Sequence, residues 1–158
     1  MNKRILTTCF LLLLITACGG ETPEPTSTAA PPADPEPAAL PRTTSVAGAT
    51  VFFISPADGD TVSNPVRVVF GIEGMGVVPA GDNAPHSGHH HLLIDTGLPD
   101  LGLPIPMDAQ HVHFGDGSTE TEVTLEPGQH TLQMLLGDHL HIPHDPPLVS
   151  DPITILVE

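Results

Sequence analysis

The stretch that decides the fold is Gly88-His89-His90-His91-Leu92-Leu93-Ile94-Asp95, in which a run of histidines continues directly into apolar residues. Successive side chains of a β-strand point to opposite faces, so a strand here would place His89 and His91 on one face, about 7 Å apart. A helix with the same spacing would splay the two rings. The stretch therefore predicts a β-strand that carries two imidazoles close enough to share one ion.

The same His-x-His spacing recurs twice downstream, at residues 111–113 and 139–141, and another histidine follows the last pair. Paired imidazoles on one face are costly to bury unless they have partners. Imidazole nitrogen is a good ligand for both zinc and copper. We therefore predict a site for Zn or Cu, with these candidate ligands: His89, His91, His111, His113, His139, His141 and His144.

Two other interpretations of the histidine pairs stay open, namely a buried hydrogen-bond network and catalysis. The remaining histidines are interpreted as structural or surface residues: His86, His90 and His130. Carboxylates that hydrogen-bond to ligand imidazoles fix their tautomers. The candidates for that supporting role are Asp95, Asp108, Asp138 and Asp145.

The N-terminus has the layout of an export signal. Lys3 and Arg4 precede an apolar run over residues 5–15, which is too short to cross a bilayer as a helix. The run ends at Ile15-Thr16-Ala17-Cys18-Gly19, which resembles the lipobox of bacterial lipoproteins. The resemblance implies a signal peptide over residues 1–17 and an acylated Cys18. The expected location is extracytoplasmic and lipid-anchored, in the outer membrane or on the periplasmic side of a Gram-negative cell and at the cell surface otherwise.

Neither cysteine of the chain is available as a free thiol in this scheme. Cys9 lies inside the predicted signal peptide, and Cys18 would carry lipid. A disulfide framework and a thiolate-based zinc site are therefore excluded in the mature protein.

Composition divides the rest of the chain into a linker and one domain. Residues 18–48 are rich in Pro, Glu, Ala and Thr and predict a disordered linker, whereas residues 49–158 are enough for one domain. The formal net charge is -15 at pH 7, and Arg42 and Arg67 are the only arginines or lysines after the signal. A chain this acidic repels nucleic acid and anionic lipid. The expected partners are a lipid bilayer, through acylated Cys18, and a metal ion.

The domain alternates short apolar or β-branched segments with turn signals, and it lacks a long helical period. The predicted strands lie at residues 50–54, 66–72, 89–94, 111–114, 120–125, 129–136 and 153–157. Alternation in the second of these predicts that its inward residues are Val66, Val68, Phe70 and Ile72. About seven such strands favour a single immunoglobulin-like antiparallel β-sandwich, with a small jelly roll or barrel as the alternative.

The order and spacing of several motifs resemble a bacterial family known as domain of unknown function 4399. These motifs are the histidine strand at residues 88–95, His113-Phe114-Gly115, Pro127-Gly128-Gln129-His130 and Gly137-Asp138. The resemblance covers roughly residues 88–157 and implies one compact exported module without an established activity. Ser118 departs from the glutamine expected in the family's turn.

A shorter segment, His111-Val112-His113-Phe114-Gly115-Asp116, is similar to the copper-binding strand of copper-zinc superoxide dismutases. The disulfide cysteines and the arginine of that pattern are missing here. No Gly-x-Ser-x-Gly elbow or His-Glu-x-x-His motif is present either. We therefore predict a lipid-anchored metal-binding domain rather than an enzyme, with a metal-free envelope interaction module and a copper redox enzyme as the alternatives.

Overall fold

The computed structural model describes residues 40–158. The predicted signal peptide, Cys18 and most of the predicted linker lie outside the described residues. Within residues 40–158, no helix has the length and apolar character needed to cross a membrane. The described chain forms nine strands: β1 (Thr50–Ser55), β2 (Thr61–Val62), β3 (Val66–Glu73), β4 (Gly76–Val77), β5 (Ser87–Ile94), β6 (His111–His113), β7 (Glu120–Val123), β8 (Gly128–Gly137) and β9 (Ile153–Val157).

These strands form two sheets in a sandwich-like arrangement. The smaller sheet has the order β1-β3-β7 and is antiparallel throughout. The larger sheet has the order β2-β9-β8-β5-β4, and β6 also pairs with β5. Antiparallel pairing of β5 with β8 and with β6 makes β5 a central strand of the larger sheet.

The main core lies between the two sheets and is built from alternating aliphatic residues. On β3, Val66, Val68 and Phe70 are buried as predicted, whereas Ile72, also predicted to point inward, is only partly buried against the core. The three buried residues belong to one apolar cluster with Leu92 of β5 and Met134 of β8. Burial of such side chains stabilises the fold by about 1.5–3 kcal/mol each.

Strand β5 is buried along its whole length, because both of its faces are covered. Leu92 and Ile94 point into the main core, whereas the alternate residues point to the outer face of the larger sheet. On that outer face, Leu93 packs with Leu135 and with Ile105, which comes from the loop between β5 and β6. A loop therefore covers an apolar surface on the face that also carries His89 and His91.

The predicted all-β sandwich is confirmed, and each of the seven predicted strands is present with shifts of a few residues at its ends. The two additional strands, β2 and β4, are only two residues long. Strands that short carry no periodicity in the sequence. The finer assignment to the immunoglobulin-like class stays a prediction.

Candidate metal centre

Four imidazole rings meet on the outer face of the larger sheet. His89 and His91 come from β5, and His113 of β6 lies directly opposite His91 in the strand register. His141 comes from the loop at residues 138–145, called here the histidine loop. The ring centroids lie 4.6–5.1 Å apart for every pair except His91 and His141, which are 6.1 Å apart.

Three of these rings are placed so that they could hold one metal ion. One ligand nitrogen each from His89, His113 and His141 lies within 4.8 Å of the other two. The Nε2 atoms of His113 and His141 are 3.0 Å apart. Because Zn–N bonds measure about 2.0–2.1 Å, neighbouring nitrogens of a tetrahedral zinc site lie about 3.3 Å apart, so small side-chain rotations would suffice. The fourth ring, that of His91, lies beside this set.

Burial keeps the inner histidines neutral. His89 and His91 are both 0% exposed. Desolvation, followed by repulsion from His141 and His113, lowers the pKa of His89 to about 4. Desolvation and the neighbouring imidazoles lower the pKa of His91 to about 2, and burial also lowers the pKa of His113. Neutral imidazoles keep the lone pair that a metal ion requires.

The two innermost rings have no hydrogen-bond partners among residues 40–158. Both ring nitrogens of His89 and both of His91 are buried and unpaired in this part of the chain. Buried polar side-chain atoms are paired in the large majority of cases, because an unpaired one costs about 1–3 kcal/mol. A cation is a suitable partner for one nitrogen of each ring, because an imidazole offers one lone pair to an ion and carries a proton on its other nitrogen. His113 and His141 are only partly buried and lie toward solvent.

Two glycines provide the space that the rings occupy. A Cβ atom added at Gly137 would lie 2.8 Å from Cε1 of His91, and one added at Gly115 would lie 2.9 Å from Nε2 of His113. In the sequence, both glycines belong to the motifs of the family resemblance, and Gly115 also begins a turn signal. Their positions beside histidine segments, Gly137 at the end of β8 and Gly115 shortly after β6, are the signal that could have identified them as part of the site.

Substitution of Gly115 tests this packing. Gly115→Ala should push the ring of His113 out of the cluster and weaken metal binding at least tenfold, the lower range for changes that reorient a ligand. The matched control is Gly97→Ala, since a Cβ at Gly97 meets nothing within 4 Å. Equal metal affinity for the two variants, measured by competition with a chelator, would show that Gly115 does not position His113.

The structure does not bring the other predicted ligands into the cluster. His111 shares a face with His113, but its Nδ1 lies 2.8 Å from Asp108 Oδ1. His139 lies in a turn, where the alternation of a strand does not apply. His144 is buried beside Gly88 and Leu136, with its Nε2 at 3.2 Å from the Ser87 carbonyl. Strand spacing therefore groups more histidines than the structure brings together.

Of the carboxylates predicted to support the ligand histidines, some lie near the cluster and others have different partners. Asp138 is 1% exposed, lies in the histidine loop and is near enough to His89 to raise its pKa in part. Asp108 holds His111, and Asp145 forms an ion pair with Arg42 over 3.4 Å. Of the four, Asp138 is the one whose charge acts on a clustered ring.

The histidines predicted to be structural or superficial lie away from the cluster. His86 is exposed. His90 is buried on the inner face against Phe70, at 5.2 Å between ring centroids, and desolvation lowers its pKa to about 4. His130 Nδ1 lies 2.7 Å from Asp95 Oδ2, and this contact raises the pKa of His130.

Comparison with known proteins identifies the family. The model of the family described as Domain of unknown function (DUF4399) matches residues 68–158, more than half of the chain. The chain belongs to this family. No curated protein and no solved structure matches it. The resemblance inferred from the sequence motifs is confirmed, and the matched region contains all four clustered histidines.

Proposed function

We propose that this domain binds one transition-metal ion, Zn or Cu, through His89, His113 and His141. The observation that carries the proposal is the convergence of three ligand nitrogens within 4.8 Å of one another from two strands and a loop. His91 lies close enough to serve as a fourth imidazole. The ion would join β5, β6 and the histidine loop, so binding would also stabilise the folded state.

A hydrogen-bond network among the four rings is the weaker explanation. A network of neutral imidazoles needs each N–H to face an acceptor, yet His113 and His141 form the single ring-to-ring contact of hydrogen-bond length in the cluster, as far as the described residues show. The rings of His89 and His91 approach their neighbours without making such contacts. Lone pairs directed at a shared ion would account for this arrangement.

The ligand chemistry narrows the choice of metal. An all-imidazole set without thiolate or carboxylate suits Zn²⁺ and copper, and poorly suits Mg²⁺ or Ca²⁺, which prefer oxygen. The deficit of basic residues in the mature chain adds a general attraction for cations. The proposed activity is binding, because the sequence offers no recognisable nucleophile beside the histidines.

The direct experiment is a metal titration of the full chain, purified in detergent and stripped with a chelator. We expect one Zn²⁺ or one Cu²⁺ bound per chain, and no competition from a large excess of Mg²⁺. The metal proposal is wrong if neither ion binds with a defined stoichiometry.

We further propose that the protein is an extracytoplasmic lipoprotein, anchored in a bilayer through Cys18. The lipobox-like sequence and the preceding short apolar run support this location. Several acyl chains on one residue anchor a protein firmly, since each buried methylene contributes about 0.8 kcal/mol. The acidic linker and domain would then stand clear of an anionic membrane surface.

The anchor is tested by Cys18→Ala, with Cys9→Ala as the matched control within the same N-terminal region. The first variant should leave the membrane fraction or remain unprocessed, because it lacks the acylation site. The second should fractionate and migrate as the wild type does. Lipidation at Cys18 would be refuted by an unchanged mature mass and membrane fractionation for Cys18→Ala.

A further inference from the structure

The segment just before the first strand is bound to the histidine loop. This segment, residues 42–45, is called here the strap. Arg42 donates from Nε to the Pro143 carbonyl over 2.9 Å, and from Nη2 to the His144 carbonyl. The amide of Asp145 donates to the Thr43 carbonyl over 2.9 Å, and Thr44 pairs with Asp145 in an isolated bridge. The strap therefore fixes the C-terminal half of the loop.

Asp138 fixes the other half of the loop and is itself held by the strap. Its Oδ1 accepts the amides of Leu140 at 2.8 Å and Ile142 at 3.0 Å. Its Oδ2 accepts the hydroxyl of Thr43 at 2.7 Å. A carboxylate that accepts several hydrogen bonds is favoured in its charged form, and these bonds lower the pKa of Asp138 although burial opposes them.

His141 lies between these two anchored halves and has an unusual backbone conformation. Its φ is 65°, in the left-handed region that non-glycine residues rarely adopt. Such a residue persists only where its surroundings hold it, and here its amide donates to the Asp138 carbonyl and its carbonyl accepts the Ile105 amide. The direction of the His141 ring is therefore set by the hydrogen bonds of the loop.

We propose that Thr43 and Arg42 are positioning residues of the metal site, which act through Asp138 and the loop backbone to direct His141 toward His89 and His113. This inference rests on the metal site proposed above. The strap lies before residue 68, where the family match begins. It also lies within the segment that composition assigns to the linker, so part of the site's support comes from the chain that joins the domain to its tether.

The test compares Thr43→Val with Thr43→Ser in the full chain purified in detergent. Valine has nearly the shape of threonine but cannot donate to Asp138, whereas serine retains the hydroxyl. We expect Thr43→Val to weaken Zn²⁺ and Cu²⁺ binding by about 10-fold or more, the range for loss of a group that orients a ligand. Thr43→Ser should bind both ions with wild-type affinity. The Cu²⁺ spectrum of the valine variant should also indicate one nitrogen ligand fewer.

A second pair of variants guards against a general loss of folding. Arg42→Gln should weaken metal binding, while Arg67→Gln should not, because Arg67 pairs with Glu120 on the exposed face of the smaller sheet. Thermal melting without metal would show whether each variant folds. A change in melting temperature without a change in metal affinity or in the Cu²⁺ spectrum would mean that the strap has only a structural role.

The outcomes separate this inference from the proposed function. If the wild type binds no metal, both ideas fail, and amide exchange of Leu140 and Ile142 would still show whether Thr43 holds the loop. If the wild type binds and Thr43→Val binds equally well, only the positioning role is overturned. Weaker binding by Thr43→Val and Arg42→Gln, with rescue by serine, would support it.

Discussion

Replacing His113 by alanine should reduce the affinity for Zn²⁺ or Cu²⁺ by at least about 100-fold, because the change removes one of three nitrogens that can reach the same ion. His141→Ala should have a comparable effect. Both residues are only partly buried, so their loss should disturb the core less than replacement of His89. The measurement is competition with a chelator of known affinity, on the full chain in detergent.

The sequence supplies a matched control for each of these variants. His111→Ala and His139→Ala remove the partner in the same His-x-His pair, and neither residue belongs to the cluster. Both controls should therefore bind metal as the wild type does. If all four variants lost affinity equally, the ligand set would be the broader one predicted from spacing, and the three-histidine geometry would be wrong.

The metal-free protein should lose stability steeply as the pH falls from about 6.5 to about 4. The folded pKa values of His89 and His90 are about 4 and that of His91 is about 2, all below the ordinary value of 6.5. Below pH 6.5 the unfolded chain takes up protons that these buried rings cannot accept. The stability that these neutral rings contribute is therefore fully present above the unfolded pKa of 6.5, and it is lost as the pH falls toward the folded pKa values.

The expected loss is large compared with the stability of a small domain. One pKa unit corresponds to 1.36 kcal/mol, so His89 alone accounts for a loss on the order of 3 kcal/mol near pH 4. Bound metal should oppose the loss down to the pH at which protons displace it. Asp138, with its lowered pKa, contributes a separate loss only below its ordinary value of 3.8.

Urea unfolding of the metal-free chain between pH 4 and 7.5 measures this dependence. His91→Leu replaces the titrating ring with a buried apolar side chain, so the free energy of unfolding should depend less on pH in this variant. A wild-type free energy of unfolding that stays constant between pH 6.5 and 4 would contradict the burial of neutral histidines.

Alternation along one strand was sufficient to predict the inner half of the site. His89 and His91 share the outer face of the larger sheet, as alternation predicts, and their tilted rings lie closer, at 4.8 Å between centroids, than the spacing of about 7 Å along the strand. Main-chain geometry dictates the shared face whatever the surroundings are. The same reasoning predicted the inward face of β3.

Spacing could not predict how deep each histidine lies or which neighbour it contacts. His111 satisfies the pattern, yet its partner is Asp108. Asp108 Oδ1 accepts the His111 amide and lies 2.8 Å from the ring Nδ1, and these contacts hold His111 apart from the cluster. His141 joins the cluster from a turn, through a left-handed backbone that no periodicity encodes. The packing of Ile105 over Leu93 depends on a loop path that only the folded chain defines.

Amino-acid composition also could not predict the role of the segment before β1. Proline and alanine content indicates a disordered linker up to residue 48, but two side chains near its end, Arg42 and Thr43, bind the histidine loop. A composition average over thirty residues cannot register two specific hydrogen-bonding residues. The end of the predicted linker is therefore in contact with the histidine loop.

The most direct test of the metal site is X-ray absorption of the full chain loaded with one equivalent of Zn²⁺ or Cu²⁺. We expect the outer-shell scattering of three or four imidazoles, with a solvent oxygen completing a three-imidazole site, no sulfur, and the loss of one imidazole in His113→Ala. A spectrum dominated by oxygen ligands without imidazole scattering, or one unchanged in His113→Ala, would contradict the proposed site.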